Sequence, residues 1–212
     1  MPGSAFDITT GTDLSTVGGR ADVWAYLAKS QVRCLVISPP HMLYTKLPTI
    51  TRVSKRPFAE KEKETRSLLE FAMALCRHQH AMGRYFIFEH PAHATSWAEP
   101  CVDSVKSLRG VTLSRFDKCR FGLRLRRGDA PVKKPTMFMS NMVGIQHTFH
   151  RKLCNCTERH AQVESSSVTR TGLDDAMLRA ILYDLRFPCG CYTSELCTCD
   201  DMSQGFEMSQ GF

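Results

Sequence analysis

Two short apolar runs, Val32-Arg-Cys-Leu-Val-Ile37 and Arg84-Tyr-Phe-Ile-Phe88, flank one long helical pattern, and this spacing constrains the fold more than any other feature. Each run is bounded by turn residues and rich in β-branched or aromatic side chains, so each reads as a buried strand. Between them, Ala59 to Met82 places Leu68, Leu69, Phe71, Ala72, Leu75 and Cys76 on one helical stripe, and Gly83 is a natural stop. A strand, a long helix and a second strand in this order give the rhythm of parallel α/β architecture.

The remaining chain extends that rhythm. Gly19 to Lys29 carries Val23, Trp24, Leu27 and Ala28 at helical spacing, and Ser96 to Leu108 reads as another helix. Val111 to Arg115 reads as a third strand and Thr136 to Asn141 as a fourth, ending in a loop. Asp174 to Leu185 reads as a helix with Ala176, Met177, Ala180 and Ile181 on its core face. The sequence predicts one three-layer α/β domain over 6–185. It is followed by a cysteine-rich, disordered tail over 186–212, in which Met202-Ser-Gln-Gly-Phe206 is duplicated as Met208-Ser-Gln-Gly-Phe212. With 42% hydrophobic and 23% charged residues, a real core is affordable and wholesale disorder is not expected. No apolar stretch has the ~18–20 residues of a membrane span and no secretory signal opens the chain. The expected location is intracellular, nuclear or cytoplasmic.

The formal charge is +7, and much of it lies between Ser104 and Pro135. Arg124, Arg126, Arg127, Lys133 and Lys134 are the candidate nucleic-acid contacts there, with Phe116 and Phe121 interleaved; the alternative is a solvated face around two core rings.

Ligands of open parallel sheets bind beyond the carboxyl ends of the strands, where loops converge. Two segments have that placement, Ser38-Pro39-Pro40-His41 after the first strand and Glu89-His90-Pro91 after the second. In this order they resemble the Pro-Pro-Cys loop and the strand-end Glu-Asn pair of the cytosine-5 DNA methyltransferases. The resemblance implies a catalytic site at His41, Glu89 and His90, with Glu89 set against the pyrimidine ring nitrogen. His41 stands where that family has its nucleophilic Cys, and an imidazole does not supply thiolate chemistry.

A longer resemblance, over about Phe6 to Leu185, is to methyltransferase-like segments of dinoflagellate-type retroelement polyproteins. It is carried by Phe6-Asp-Ile-Thr-Thr-Gly-Thr-Asp-Leu-Ser15, Ser38-Pro-Pro40, Gly83 to Pro91 with Ser96-Trp97, Asp117-Lys-Cys-Arg-Phe-Gly122 and Lys134 to Asn141. It implies a partial Rossmann-type methyltransferase sheet, N-terminally truncated, with Asn141 as a loop contact to nucleic acid. The glycine-rich loop that would hold S-adenosylmethionine has no counterpart before Ser38. Asp13 is the one candidate cofactor-side acid, set against an ordinary turn aspartate. The expected function is a degenerate methyltransferase-like module, inactive unless a complementing lobe supplies the cofactor site. The alternatives are a basic nucleic-acid-binding module, zinc-stabilised or not, and an unselected gene fragment.

Zinc has two candidate quartets. His150, Cys154, Cys156 and His160 form the first, and Cys189, Cys191, Cys197 and Cys199 the second; both have the four soft or imidazole ligands that zinc needs. Cys34, Cys76, Cys101 and Cys119 stand alone and read as small buried hydrophobes.

Overall fold

A computed structural model describes residues 3–45, 58–125, 130–161 and 173–186. Its elements are helices α1 (Val17–Ser30), α2 (Phe58–Ala81), α3 (Pro100–Lys106), α4 (Val143–Phe149) and α5 (Leu173–Arg186), and strands β1 (Cys34–Ile37), β2 (Tyr85–Pro91), β3 (Thr112–Asp117) and β4 (Pro135–Ser140). The strands form one sheet in the order β1-β2-β4-β3. β1 and β2 are parallel, as the α2 crossover requires, whereas β4 is inserted antiparallel between β2 and β3. This corrects the expectation of an all-parallel rhythm: the fold is mixed α/β.

The two faces of the sheet carry different cores, because successive side chains of a strand point to opposite sides. Phe86, Phe88 and Met139 face α2 and α3, where Leu69, Met73, Cys76, Val102 and Val105 complete a cluster. Ile87, Phe116 and Phe138 face α4 and α5, against Ile145, Phe149 and Ala180. α1 adds Val23 and Leu27 to Leu75 of α2, with Leu35 and Ile37 packed against them. The rings of Phe116 and Phe121 belong to the second cluster, with Phe116 wholly buried, which is the core alternative for these two residues.

Local chemistry explains the boundaries. Thr16 caps α1 by accepting from the Gly19 N–H, and Gln31 closes it in the left-handed region. The helix expected over Ser96 to Leu108 is broken in two: a 3-10 turn spans Thr95–Ala98, and Glu99 in extended conformation leads into α3 with Pro100 at its first turn. β1 is an edge strand, with Val36 48% exposed and none of its residues fully buried, so the expectation of a buried strand is corrected. Buried Gln79 of α2 donates to both Val32 O and Tyr85 O, tying the starts of β1 and β2 together.

α4 was not foreseen. It is held by an inter-helix cap, since both carboxylate oxygens of buried Asp184 on α5 accept from the Gly144 N–H, at 2.9 and 2.8 Å. Here glycine is obligatory for contact reasons: a Cβ on Gly144 would lie 2.7 Å from Ala180 O and 3.0 Å from the Asp184 carboxylate. No helix among the described residues is long and apolar enough to cross a membrane.

Gly144→Ala is therefore expected to lower the unfolding free energy by about 1–3 kcal/mol, the usual cost of forcing atoms into a packed contact. Gly18→Ala, on α1 with open space around it, is expected to raise or hold stability. Urea denaturation of both variants measures the difference.

Candidate functional site

The register places four chain segments at one edge of the sheet. Pro91 opposes Thr136 and Asp117 opposes Pro135, so the carboxyl ends of β2 and β3 meet the start of β4, and the end of the parallel strand β1 lies alongside. Ser38, Glu89, Lys118 and Lys134 consequently converge. The Glu89 carboxylate accepts from Ser38 Oγ at 2.9 Å and from Lys118 Nζ at 2.7 Å. Burial alone would raise its pKa, but the Lys118 charge and hydrogen bond, the Ser38 hydroxyl and Lys134 outweigh burial and hold it below the ordinary value. Glu89 is an ionised, engaged carboxylate.

His90 is a different kind of residue. It is 1% exposed, its Nδ1 meets Ser96 Oγ at 2.7 Å and its Nε2 faces Pro39 O at 3.2 Å. The carbonyl can only accept, so Nε2 carries the proton and Nδ1 accepts from Ser96. Phe88, Tyr44, Trp97 and His41 surround the ring. Burial first, then the nearby His41, push its pKa down to about 4, so it is neutral. His90 thus fastens the Pro39-Pro40 loop to β2. His41 follows that loop, half-buried at the entry to the 3-10 turn Met42–Tyr44, with its pKa lowered first by burial and then by Lys134.

Ser38 heads the Ser38–His41 loop expected at this edge, whereas Lys118 is not a site residue in the sequence reading. The available signal is the run Asp117-Lys-Cys-Arg-Phe-Gly122, but the third strand extends to Asp117, two residues beyond its expected end at Arg115, and delivers that run to Glu89. A second group lies beside it. Sγ of Cys119, Cys154 and Cys156 and a ring nitrogen of His160 all lie within 4.8 Å of one another, an arrangement that could hold a metal ion. Cys154 Sγ is 3.2 Å from His160 Nε2 and accepts from the Cys156 N–H at 3.4 Å. That backbone donor is the first cause lowering the Cys154 pKa, whereas desolvation and the adjacent sulfurs push Cys119 up to about 12. Two expectations change here: Cys119 is not solitary, and His150, exposed at the end of α4, is not the fourth member.

Comparisons with protein-family models, with characterised proteins and with solved structures each found no match.

The other expected site residues are placed as follows. Asn141 follows the antiparallel strand and so sits at the opposite edge, where its Oδ1 accepts from Phe86 N and its Nδ2 donates to Arg84 O; it mimics a peptide and is spent on β2. Asp13 forms a turn at the entry to α1, its carboxylate accepting from Ser15 N and its carbonyl from Thr16 N. Arg124 pairs with Glu158 at 3.1 Å. Lys133 and Lys134 are exposed, and the Lys134 pKa is lowered, first by desolvation and then by Lys118. Arg126, Arg127, Cys189, Cys191, Cys197 and Cys199 lie outside the described residues.

The buried neutral His90 makes a pH prediction. Its folded pKa lies below the ordinary 6.5, so its contribution is complete above pH 6.5 and is lost as pH falls towards about 4. Wild type should lose on the order of 3 kcal/mol more than His90→Gln across that window, as read by urea unfolding at each pH.

Proposed function

We propose that this chain is a degenerate methyltransferase-like module of retroelement type, with a partial Rossmann-type sheet, that does not catalyse methyl transfer alone. The state of Glu89 carries this reading. A carboxyl group that assists attack on a pyrimidine must meet the ring nitrogen and share a proton with it, whereas Glu89 is ionised and already engaged by Lys118 and Ser38. His41 offers an imidazole where the resemblance calls for a thiol. The fully or largely buried thiols of Cys76 and Cys34 have pKa values raised by desolvation, with Cys34 at about 12, and so supply no thiolate.

The cofactor side supports the same conclusion. Among the described residues, β1 is the edge of the sheet, preceded by a helix, and Asp13 is committed to a turn. A complementing lobe that pairs with the outer edge of β1 would have to bring the S-adenosylmethionine site. The Cys119, Cys154, Cys156 and His160 group takes zinc in this reading, since three thiolates and one imidazole are a common structural zinc set. A nucleic-acid partner for the basic segment is less well supported, because Arg124 and Arg120 are engaged with Glu158 and Asn155 of the chain itself.

Two measurements test the proposal. Calorimetric titration of the isolated chain with S-adenosylmethionine is expected to show no saturable binding, and saturable binding in the low-micromolar range would refute the cofactor argument. The carbon-13 carboxyl signal of Glu89 is expected to titrate below the ordinary value of 4.5. Titration near neutral pH would instead make it a competent acid and would restore the enzyme hypothesis.

A further inference from the structure

The segment after α4 does not leave the domain. It runs back along the outer edge of β3: Arg151 N donates to Arg115 O, Asp117 N donates to Lys152 O, and Phe116 bridges Lys152 in parallel register. Further on, Cys154 N donates to the buried Asp117 carboxylate at 2.8 Å, Arg120 bonds Asn155, Arg124 pairs with Glu158 and Ala161 N donates to Pro131 O. This strap over 151–161 covers an edge that would otherwise present unpaired backbone groups. Leu153, Asn155, Thr157, Glu158 and Arg159 are all exposed, so no apolar burial holds its middle. What lies there instead is the Cys119, Cys154, Cys156 and His160 group.

We infer that zinc in this group is the clasp that locks the strap onto β3 and fixes the Asp117-Lys118-Cys119 turn, and through it the Lys118–Glu89 contact, at the ligand edge. The inference rests on the zinc reading above and adds its consequence for the site. Cys119 is one residue from Lys118, inside the 3-10 turn Lys118–Phe121, while the other three ligands belong to the strap. One ion would therefore join two segments far apart in sequence. A tetrahedral centre with Zn–S of about 2.3 Å and Zn–N of about 2.0 Å has ligand–ligand edges of roughly 3.4–3.8 Å, a small contraction of the observed group. On binding, three thiol protons pass to solvent as three Zn–S bonds form, and His160 ligates through the Nε2 lone pair with its proton on Nδ1. The Cys156 N–H stays on Cys154 Sγ as an outer-shell donor, and Asp117 holds the Cys154 backbone.

The test uses the full chain, purified with zinc present and without chelators, and compares elemental analysis with hydrogen exchange before and after stripping by a strong chelator. One zinc per chain is expected, kept by His160→Cys and lost in Cys119→Ser and Cys156→Ser. Removal should accelerate exchange at least about tenfold at 115–118 and 151–161 while α2 and β2 stay protected. Less than about 0.2 zinc per chain would overturn the zinc reading and the inference together, given the tightness of structural zinc sites. Zinc that binds without changing protection of the strap, or whose loss unprotects the whole domain equally, would overturn the clasp alone.

Discussion

β4 is the strand on which the rest depends. It is hydrogen-bonded on both sides, and its two faces supply Phe138 to one core and Met139 to the other, at 2% and 0% exposure. Its direction fixes the geography of the domain. Because it runs against β2 and β3, its first residues join the carboxyl ends of those strands, while its last residues lie at the far edge. Lys134 and Asn141, close in sequence, are thereby separated into a neighbour of Glu89 and a backbone clamp. Antiparallel pairing also lengthens β2, since Glu89, His90 and Pro91 each oppose a residue of β4 and are held as strand rather than loop.

At the edge where β1, β2 and β3 end, the polar groups are matched to one another. His90 has both ring nitrogens satisfied in a box of aromatic rings, and Glu89 has a cation and a hydroxyl on its two oxygens. A buried group with satisfied partners is costly to disturb. A catalytic group, in contrast, needs a partner that arrives with the substrate. At this edge both Glu89 and His90 already have partners within the chain.

Much of the scaffold was legible because it follows local rules. α1, α2 and α5 have amphipathic stripes, and each is found within one or two residues of its expected bounds; Ala176, Met177, Ala180 and Ile181 indeed pack on the core. The break before α3 is legible in Pro100, which favours a helix start at that position. Other features were not local. Nothing in Thr136 to Asn141 states which way the strand runs, and α4 depends on a cap from Asp184, distant in sequence. The metal group shows the same limit: His150 fits a ligand spacing, but the chain turns at Arg151 into the left-handed region, and Cys119, from the 3-10 turn after β3, stands in its place. Spacing can propose a ligand count, while tertiary structure selects the members.

The proposed clasp ties the Lys118–Glu89 contact to one metal centre built from three sulfurs and one nitrogen. X-ray absorption at the zinc edge of the metal-loaded chain tests this most directly. The predicted first shell is three sulfurs at about 2.3 Å and one nitrogen at about 2.0 Å. A shell of two sulfurs and two nitrogens would select His150 over Cys119, and a shell of four sulfurs would move the metal to the late cysteines; either result would contradict it.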